Sequence, residues 1–369
     1  MSSAPVPKSL LGRHRLLAPL ASVRVSPISL GGMSLGTAWT GLLGECTKEM
    51  AFELLDTYYD LGGNFIDTAN IYQNGQSEQW IGEWLQAKSG RRSEMVISTK
   101  YGVNTMGKQP IQQSNFGGTG TKSMHEAMQA SLRNLQTNYV DIYYVHAWDC
   151  ATQIPELMQS LNTLVQQGKV LYLGVSNTPA WVVAKANAYA RQHGLRPFSI
   201  YQGCYSAMRR DLERDIIPMC RDEGMAIHAY GVLGHGQFKT TEAKEANEGA
   251  RASSPLTHTG REEQVSKVLE TVAKRYGVPL TSVSLAYAMQ KAVNVEALSV
   301  QLTAEDVAEI ERSYEFDFGY PHSFINMSHN MTNGPEDITH LKSMGYFDYV
   351  AAQRAIHPHI GALDQAWQA

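Results

Sequence analysis

The chain has 369 residues, 43% hydrophobic and 18% charged, with a formal net charge of −4. That length suits one large α/β barrel or two to three smaller domains, with ample material for a core. The near-neutral balance, without long runs of like charge, disfavours nucleic acid and anionic membrane partners, and no stretch is apolar enough to span a bilayer.

Residues 1–20 are basic and mildly apolar, but prolines and arginines break the apolar run, so they read as a leader rather than a secretory signal. A first strand is expected in VSPISLG, residues 25–31. A helix should then start at Thr47, carry Ala51, Leu54, Leu55 and Tyr58 on one face, and stop at Gly62-Gly63. Further strands follow in NFIDTA, EMVISTK, VDIYYVH, KVLYLGVSN, FSIYQ and MAIHAY. Between them, residues 124–137 align Met124, Ala127, Met128, Leu132 and Leu135 behind a Ser123–Glu126 capping box. Residues 154–167 align Ile154, Leu157, Met158, Leu161 and Val165 and end at Gly168.

Strand then helix, about every 30 residues, is the pattern of βαβ units. Seven such units occur in a row, and no GxGxxG follows the first strand, so a (β/α) barrel over residues 21–312 fits better than an open doubly wound sheet. Residues 313–369 read as a wrapping C-terminal extension. The connections 101–122 and 231–260 are too long for plain loops, and after barrel strands such loops form substrate walls or lids.

Several motifs carry little. FGGTGTKS (residues 116–123) lacks the glycine before lysine that a phosphate loop needs. His357 and His359 have no partner cluster, so no metal is expected. Cys46, Cys150, Cys204 and Cys220 lie far apart without CxxC, which points to reduced thiols in a cytoplasmic protein. The sequons at Asn326 and Asn330 then carry no weight.

The informative feature is how the strands end. Asp67, Lys100, His146, Ser176-Asn177, Gln202 and Tyr230 each stand at a strand's C-terminal end, where barrel strands converge. Asp67, in particular, is a carboxylate where the strand should still be buried, and it demands a partner. Lys100 can supply one. Its ammonium should also lower the pKa of Tyr72 from roughly 10 toward the working pH. His146, as a neutral donor, could orient a carbonyl oxygen toward Tyr72. Such a group protonates a carbonyl while a cofactor delivers hydride to carbon.

GGNFIDTANIYQNGQSEQWIGEWL, ISTKYG, YVDIYYVHAWD, GKVLYLGVSNTPAW and AYGVLGHGQF together resemble the aldo-keto reductases, specifically the fungal aryl-alcohol dehydrogenase branch with its norsolorinic-acid-reductase-like enzymes. The resemblance runs from about residue 20 to FDFGYPHSF near 324. It implies a (β/α)8 barrel, lacking its eighth strand here, and NADPH-dependent reduction of an aromatic aldehyde or ketone such as a polyketide intermediate. Asp67, Tyr72, Lys100 and His146 would be the catalytic tetrad, with Tyr72 and His146 against the substrate. Asp67, Ser176, Asn177 and Gln202 would hold the nicotinamide end of NADPH/NADP+, and Tyr230 would stack on its ring. Gly231, Val232, Leu233, Gly234, His235, Gly236 and Gln237 would close over the pyrophosphate. Ala147 replaces a tryptophan common in this branch.

One departure is larger. After SLAYAMQKA the text passes from Ala292 to VNVEALSVQLTAEDV, omitting the family's eighth strand, its 2′-phosphate loop and most of the last helix. Two readings stay open: an aromatic carbonyl reductase, or a catalytically impaired cofactor-binding or regulatory barrel.

Overall fold

The computed structural model describes residues 5–107, 109–245, 260–291, 300–325 and 335–344, with the single residues 327, 346, 348 and 363. The chain divides into two compact units, residues 1–202 with 360–369, and residues 203–359.

The first unit opens with an antiparallel hairpin, β1 (Arg15–Ala18) and β2 (Ala21–Val25). Parallel strands follow: β3 (Leu30–Gly31), β4 (Phe65–Asp67), β5 (Val96–Tyr101), β6 (Val140–Val145), β7 (Val170–Ser176) and β8 (Phe198–Cys204), whose last residues begin the second unit. That unit contributes β9 (Ala226–Tyr230). The parallel sheet takes its strands in chain order, β3 through β9. A doubly wound sheet would reverse direction at a switch point, whereas consecutive order is that of a (β/α) barrel. Seven parallel strands is the number the sequence pattern predicts. Every residue of β4, β5 and β6 is buried, as helices on a parallel sheet require.

The start of the chain differs from expectation. Part of the expected leader is strand β1, and Val25 ends β2 instead of starting a sheet strand. Ser26-Pro27 separates the two elements, since proline cannot donate to a ladder. The Ser26 backbone N–H goes to Asn64 Oδ1 at 2.7 Å.

The helices largely follow their apolar stripes. Lys48–Asp60 is capped by Thr47, which accepts from the Met50 N–H, and buries Ala51, Leu55 and Tyr58. Leu54 falls beside that stripe and is 44% exposed. The expected capping box at Ser123 does not form. The helix starts one turn earlier, at Thr121, and Ser123 Oγ donates back to the Gly118 carbonyl at 2.9 Å. In Ile154–Gln166 the expected Ile154, Leu157, Met158 and Leu161 are buried, and Asn162 and Leu164 join them in place of Val165. Gln76–Gln86 runs so close to the end of Thr121–Asn134 that a Cβ on Gly82 would stand 2.3 Å from the Asn134 carbonyl oxygen.

In the second unit, Glu262–Tyr276, Leu280–Lys291 and Ala304–Glu311 are the longer helices. Arg210 pairs with Glu213 at 2.9 Å and with Glu311 at 3.3 Å, and Lys291 reaches Glu311 at 2.6 Å. The buried Arg210 charge is thereby neutralised. The departure expected after Ala292 falls on residues 292–299, outside the described residues, as do His357, His359 and the later part of the 231–260 connection. Among the described residues no helix is long and apolar enough to cross a membrane.

Candidate active site

Parallel register sets the centre of the site. Asp67, the last residue of β4, pairs with Ser98 on β5. Side chains alternate along a strand, so Lys100 lies on the same face as Ser98. Both reach the same carboxylate: Ser98 Oγ donates to Asp67 Oδ1 at 2.7 Å and Lys100 Nζ to Oδ2 at 2.6 Å. Gln202 Nε2, from β8, also donates to Oδ1 at 3.1 Å. The lysine is fully buried, and its ammonium donates further to the Thr68 carbonyl at 2.7 Å. Burial lowers its pKa, but the Asp67 carboxylate and the Tyr72 oxygen outweigh burial and raise it. Asp67 is therefore buried because it is paired.

Tyr72 begins the short 3-10 turn Tyr72–Gly75 that follows β4. Its hydroxyl accepts from Lys100 Nζ at 3.3 Å, and the ammonium also lies 4.8 Å from its ring centroid. The expected lowering of its pKa is overturned. Burial raises it more than the Lys100 ammonium lowers it, and the Asp67 carboxylate adds to the rise. The phenol is an acid held in its protonated form.

His146 follows β6, where its backbone N–H donates to the Tyr101 carbonyl at 2.8 Å. Its ring stands edge-on to Tyr72, with centroids 5.9 Å apart at 83°. Burial and the Lys100 ammonium lower its pKa to about 4, so the imidazole is neutral, as expected. Its Nδ1 is buried without a hydrogen-bond partner among the described residues. Asn177, left-handed at φ +46°, donates from Nδ2 to the His146 carbonyl and to Ser176 Oγ, both at 3.0 Å. Hydrogen bonds and ring contact thus link Asp67, Tyr72, Lys100 and Gln202, place His146 beside Tyr72, and tie Ser176-Asn177 to His146.

Tyr230 and residues 231–237 belong to the second unit. The Tyr230 carbonyl accepts from the Tyr205 N–H at 3.0 Å, and its ring lies edge-on to His235 at 6.2 Å. Gly231, Gly234, His235 and Gly236 all have left-handed φ, from +55° to +84°. The Val232 carbonyl accepts from Ser284 Oγ at 2.7 Å, the Leu233 carbonyl from the Gly236 N–H at 3.1 Å, and the Gln237 N–H closes on Gly234 at 3.0 Å.

Sequence reasoning missed Ser98 and Thr68. Ser98 was available from its spacing, two residues before Lys100. The Thr68 carbonyl acts through a backbone contact that no pattern announces. Among the described residues no group of three His, Cys, Asp or Glu side chains is placed to hold a metal.

A paired buried lysine beside a protonated phenol and a neutral imidazole is suited to giving a proton to an oxygen acceptor. Comparison with known proteins agrees with that chemistry. The aldo/keto reductase family pattern matches residues 27–317. The chain is 63% identical over 373 aligned positions to an aryl-alcohol dehydrogenase of Pestalotiopsis microspora, covering 97% of this chain and 96% of the relative. It is 49% identical to norsolorinic acid reductase B of Dothistroma septosporum, over 94% of each chain. With norsolorinic acid reductase B of Aspergillus parasiticus the identity is 48%, over 97% of this chain and 99% of the relative. A match of this extent fixes its kinship: the chain belongs to the aldo/keto reductase family of oxidoreductases.

Proposed function

We propose that the chain reduces an aromatic aldehyde or ketone with NADPH, with Tyr72 giving its proton to the carbonyl oxygen. The observation that carries this reading is the 3.3 Å approach of Lys100 Nζ to the Tyr72 hydroxyl while Asp67 holds the lysine. The ammonium stabilises the phenolate left behind, and its positive charge is kept in place by the carboxylate. Neutral His146 donates a hydrogen bond that directs the substrate oxygen to Tyr72.

Aldo/keto reductases generally use a nicotinamide cofactor and act on small-molecule carbonyl compounds. The donor set of the first unit fits the nicotinamide end of such a cofactor: Asp67, Ser176, Asn177 and Gln202 supply hydroxyl, amide and carboxylate groups suited to a carboxamide. The glycine-rich turn 231–237 is assigned to the pyrophosphate. Tyr230 is assigned to the nicotinamide ring. When bound, the cofactor supplies the hydride that reaches carbon. Aromatic substrates are favoured by the relatives' names and by Trp39 and Trp148 near the motifs, with Ala147 leaving room beside His146. A polyketide intermediate of fungal secondary metabolism, handled in the cytoplasm, is the natural candidate.

The test is NADPH consumption by the purified chain with benzaldehyde derivatives, glucose and xylose at equal concentration. Benzaldehydes should be reduced fastest. A panel led by the sugars overturns the substrate class, and no turnover of any carbonyl overturns the reaction.

One observation favours the second reading, a barrel that binds cofactor poorly. The alignment with the Pestalotiopsis enzyme runs over 373 positions, more than the whole chain of 369 residues, so the relative carries positions that this chain lacks. Placed after Ala292, that loss would remove the 2′-phosphate grip. Inserting the relative's segment there should then tighten NADPH binding, read by nicotinamide fluorescence. Equal affinity in both forms rejects the second reading.

A further inference from the structure

The residue after the proton donor is unusual. Gln73 is 1% exposed and adopts φ +52°, ψ +35°, and Asn74 repeats this at φ +56°, ψ +37°. Left-handed backbone crowds a residue that carries a Cβ, and glutamine lacks the short side chain that lets asparagine tolerate it. The strain is offset by what the Gln73 amide does. Oε1 accepts from the Trp39 N–H at 2.7 Å, and Nε2 donates to the Met33 carbonyl at 3.0 Å. One side chain thereby binds both ends of the segment 33–39, which leaves the C-terminal end of β3 beside Asp67.

Two further amides complete the fastening. Asn74 Oδ1 accepts from Trp39 Nε1 at 3.3 Å, and Gln76 Oε1 accepts from the Thr37 N–H at 2.7 Å. Gly36 lets the segment cross Gln73, since a Cβ there would stand 2.6 Å from the Gln73 side chain. The segment carrying Trp39 and the turn carrying Tyr72 are thus fixed to each other by side chains.

We infer that Gln73 is a positioning residue: it locks Trp39 to the turn of the proton donor, and through Trp39 it sets the preference for aromatic over aliphatic carbonyl substrates. The inference rests on the function proposed above. Gln73 touches no reacting atom in this account. It acts by holding the Trp39 backbone from which Asn74 then holds the indole, so an aromatic ring entering beside Tyr72 meets a wall already in place, and binding need not order it.

The test uses Gln73→Gly, because glycine relieves the left-handed strain while removing the amide, which keeps folding from obscuring the result. Trp39 emission, isolated by subtracting a Trp39→Phe background, should become more accessible to acrylamide. KM for benzaldehyde should rise roughly tenfold, the scale of losing one or two net hydrogen bonds. Values for hexanal should stay within about twofold, since an aliphatic chain gains little from the wall. The double variant with Trp39→Ala should lose no more discrimination than Trp39→Ala alone. Unchanged quenching overturns the lock whatever the activity. Equal losses for both aldehydes, or additive losses in the double variant, overturn the role in specificity. If the parent chain reduces no aromatic carbonyl, the proposed function fails and the specificity role fails with it, while quenching still decides the lock.

Discussion

Lys100 Nζ donates to the Tyr72 hydroxyl at 3.3 Å, and yet the phenol's pKa lies above its ordinary value. The two facts together define the role of the lysine. Burial makes a phenolate costly, and the ammonium removes part of that cost without removing all of it. The phenol therefore stays protonated through neutral pH, while the charge that forms when it gives up its proton has a partner already waiting.

Tyr72→Phe should then lower the rate of carbonyl reduction by ~10²–10⁴, the usual loss for a positioned general acid. NADPH affinity should change little, because the hydroxyl acts in the chemical step. Single-turnover kinetics and a fluorescence titration check the two halves separately. More than half the parent rate in a regime limited by chemistry would remove Tyr72 from its role.

Lys100→Met should cost both activity and stability. It leaves the Asp67 carboxylate buried with the hydrogen bonds of Ser98 and Gln202 but without its cation. Breaking a buried pair from one side typically destabilises by about 3–5 kcal/mol. Urea unfolding measures this directly, and Asp67→Asn with Lys100→Met should recover part of the loss. With the ammonium gone, the Tyr72 pKa rises further, so the alkaline limit of any residual activity moves up. A parent-like unfolding midpoint would contradict the pairing.

His146 predicts a pH dependence of known sign. Its folded pKa is about 4, below the ordinary value of roughly 6.5 that the unfolded chain would show. Between these values the unfolded state binds the extra proton, so stability falls as pH drops through the window from 6.5 to 4 and is fully present above it. His146→Gln should lack this component. Unfolding midpoints of the two proteins across that range should diverge, with the parent losing more on acidification. Parallel curves would mean that the imidazole is not kept neutral by the fold.

Glu78 predicts the opposite slope. It is fully buried in Gln76–Gln86, where Oε1 accepts from Thr99 Oγ1 at 2.6 Å and Oε2 from Asn134 Nδ2 at 3.1 Å. Burial raises its pKa above the ordinary carboxyl value, against the pull of these hydrogen bonds. Its stabilising contribution is therefore fully present at acid pH and lost as pH rises through the folded pKa. Glu78→Gln should gain ground on the parent as pH increases, in the same unfolding series. A constant difference between the two would show that the carboxyl titrates as it does in the unfolded chain.

Local pattern carried much of this protein. The alternation of short apolar runs with amphipathic helices made seven parallel strands legible, because buried parallel strands and helix stripes each leave a periodicity within about ten residues. Polar residues at strand ends exposed the tetrad, because the C-terminal ends of barrel strands converge. Ser123 shows where pattern misleads: a capping sequence is present, but the helix starts earlier because the serine hydroxyl finds the Gly118 carbonyl. The hairpin at Arg15–Val25 was hidden because antiparallel pairing of short mixed strands leaves no strong periodic signal.

What only the tertiary structure decided are quantities set by burial and by contacts between distant residues. The net direction of the Tyr72 pKa depends on the balance of desolvation, Lys100 and Asp67, and sequence supplies the charges but not the depth. Ser98 joins Asp67 through the register of β4 with β5, and Gln202 through a side-chain contact between strands that are not neighbours in the sheet. Gln73 reaches Met33 and Trp39 across some forty residues of chain, from a backbone conformation that glutamine seldom takes. Sequence determined which chemical groups stand at the strand ends. Packing fixed their protonation states and the partners that hold them, because those follow from desolvation and distance, which a linear pattern does not contain.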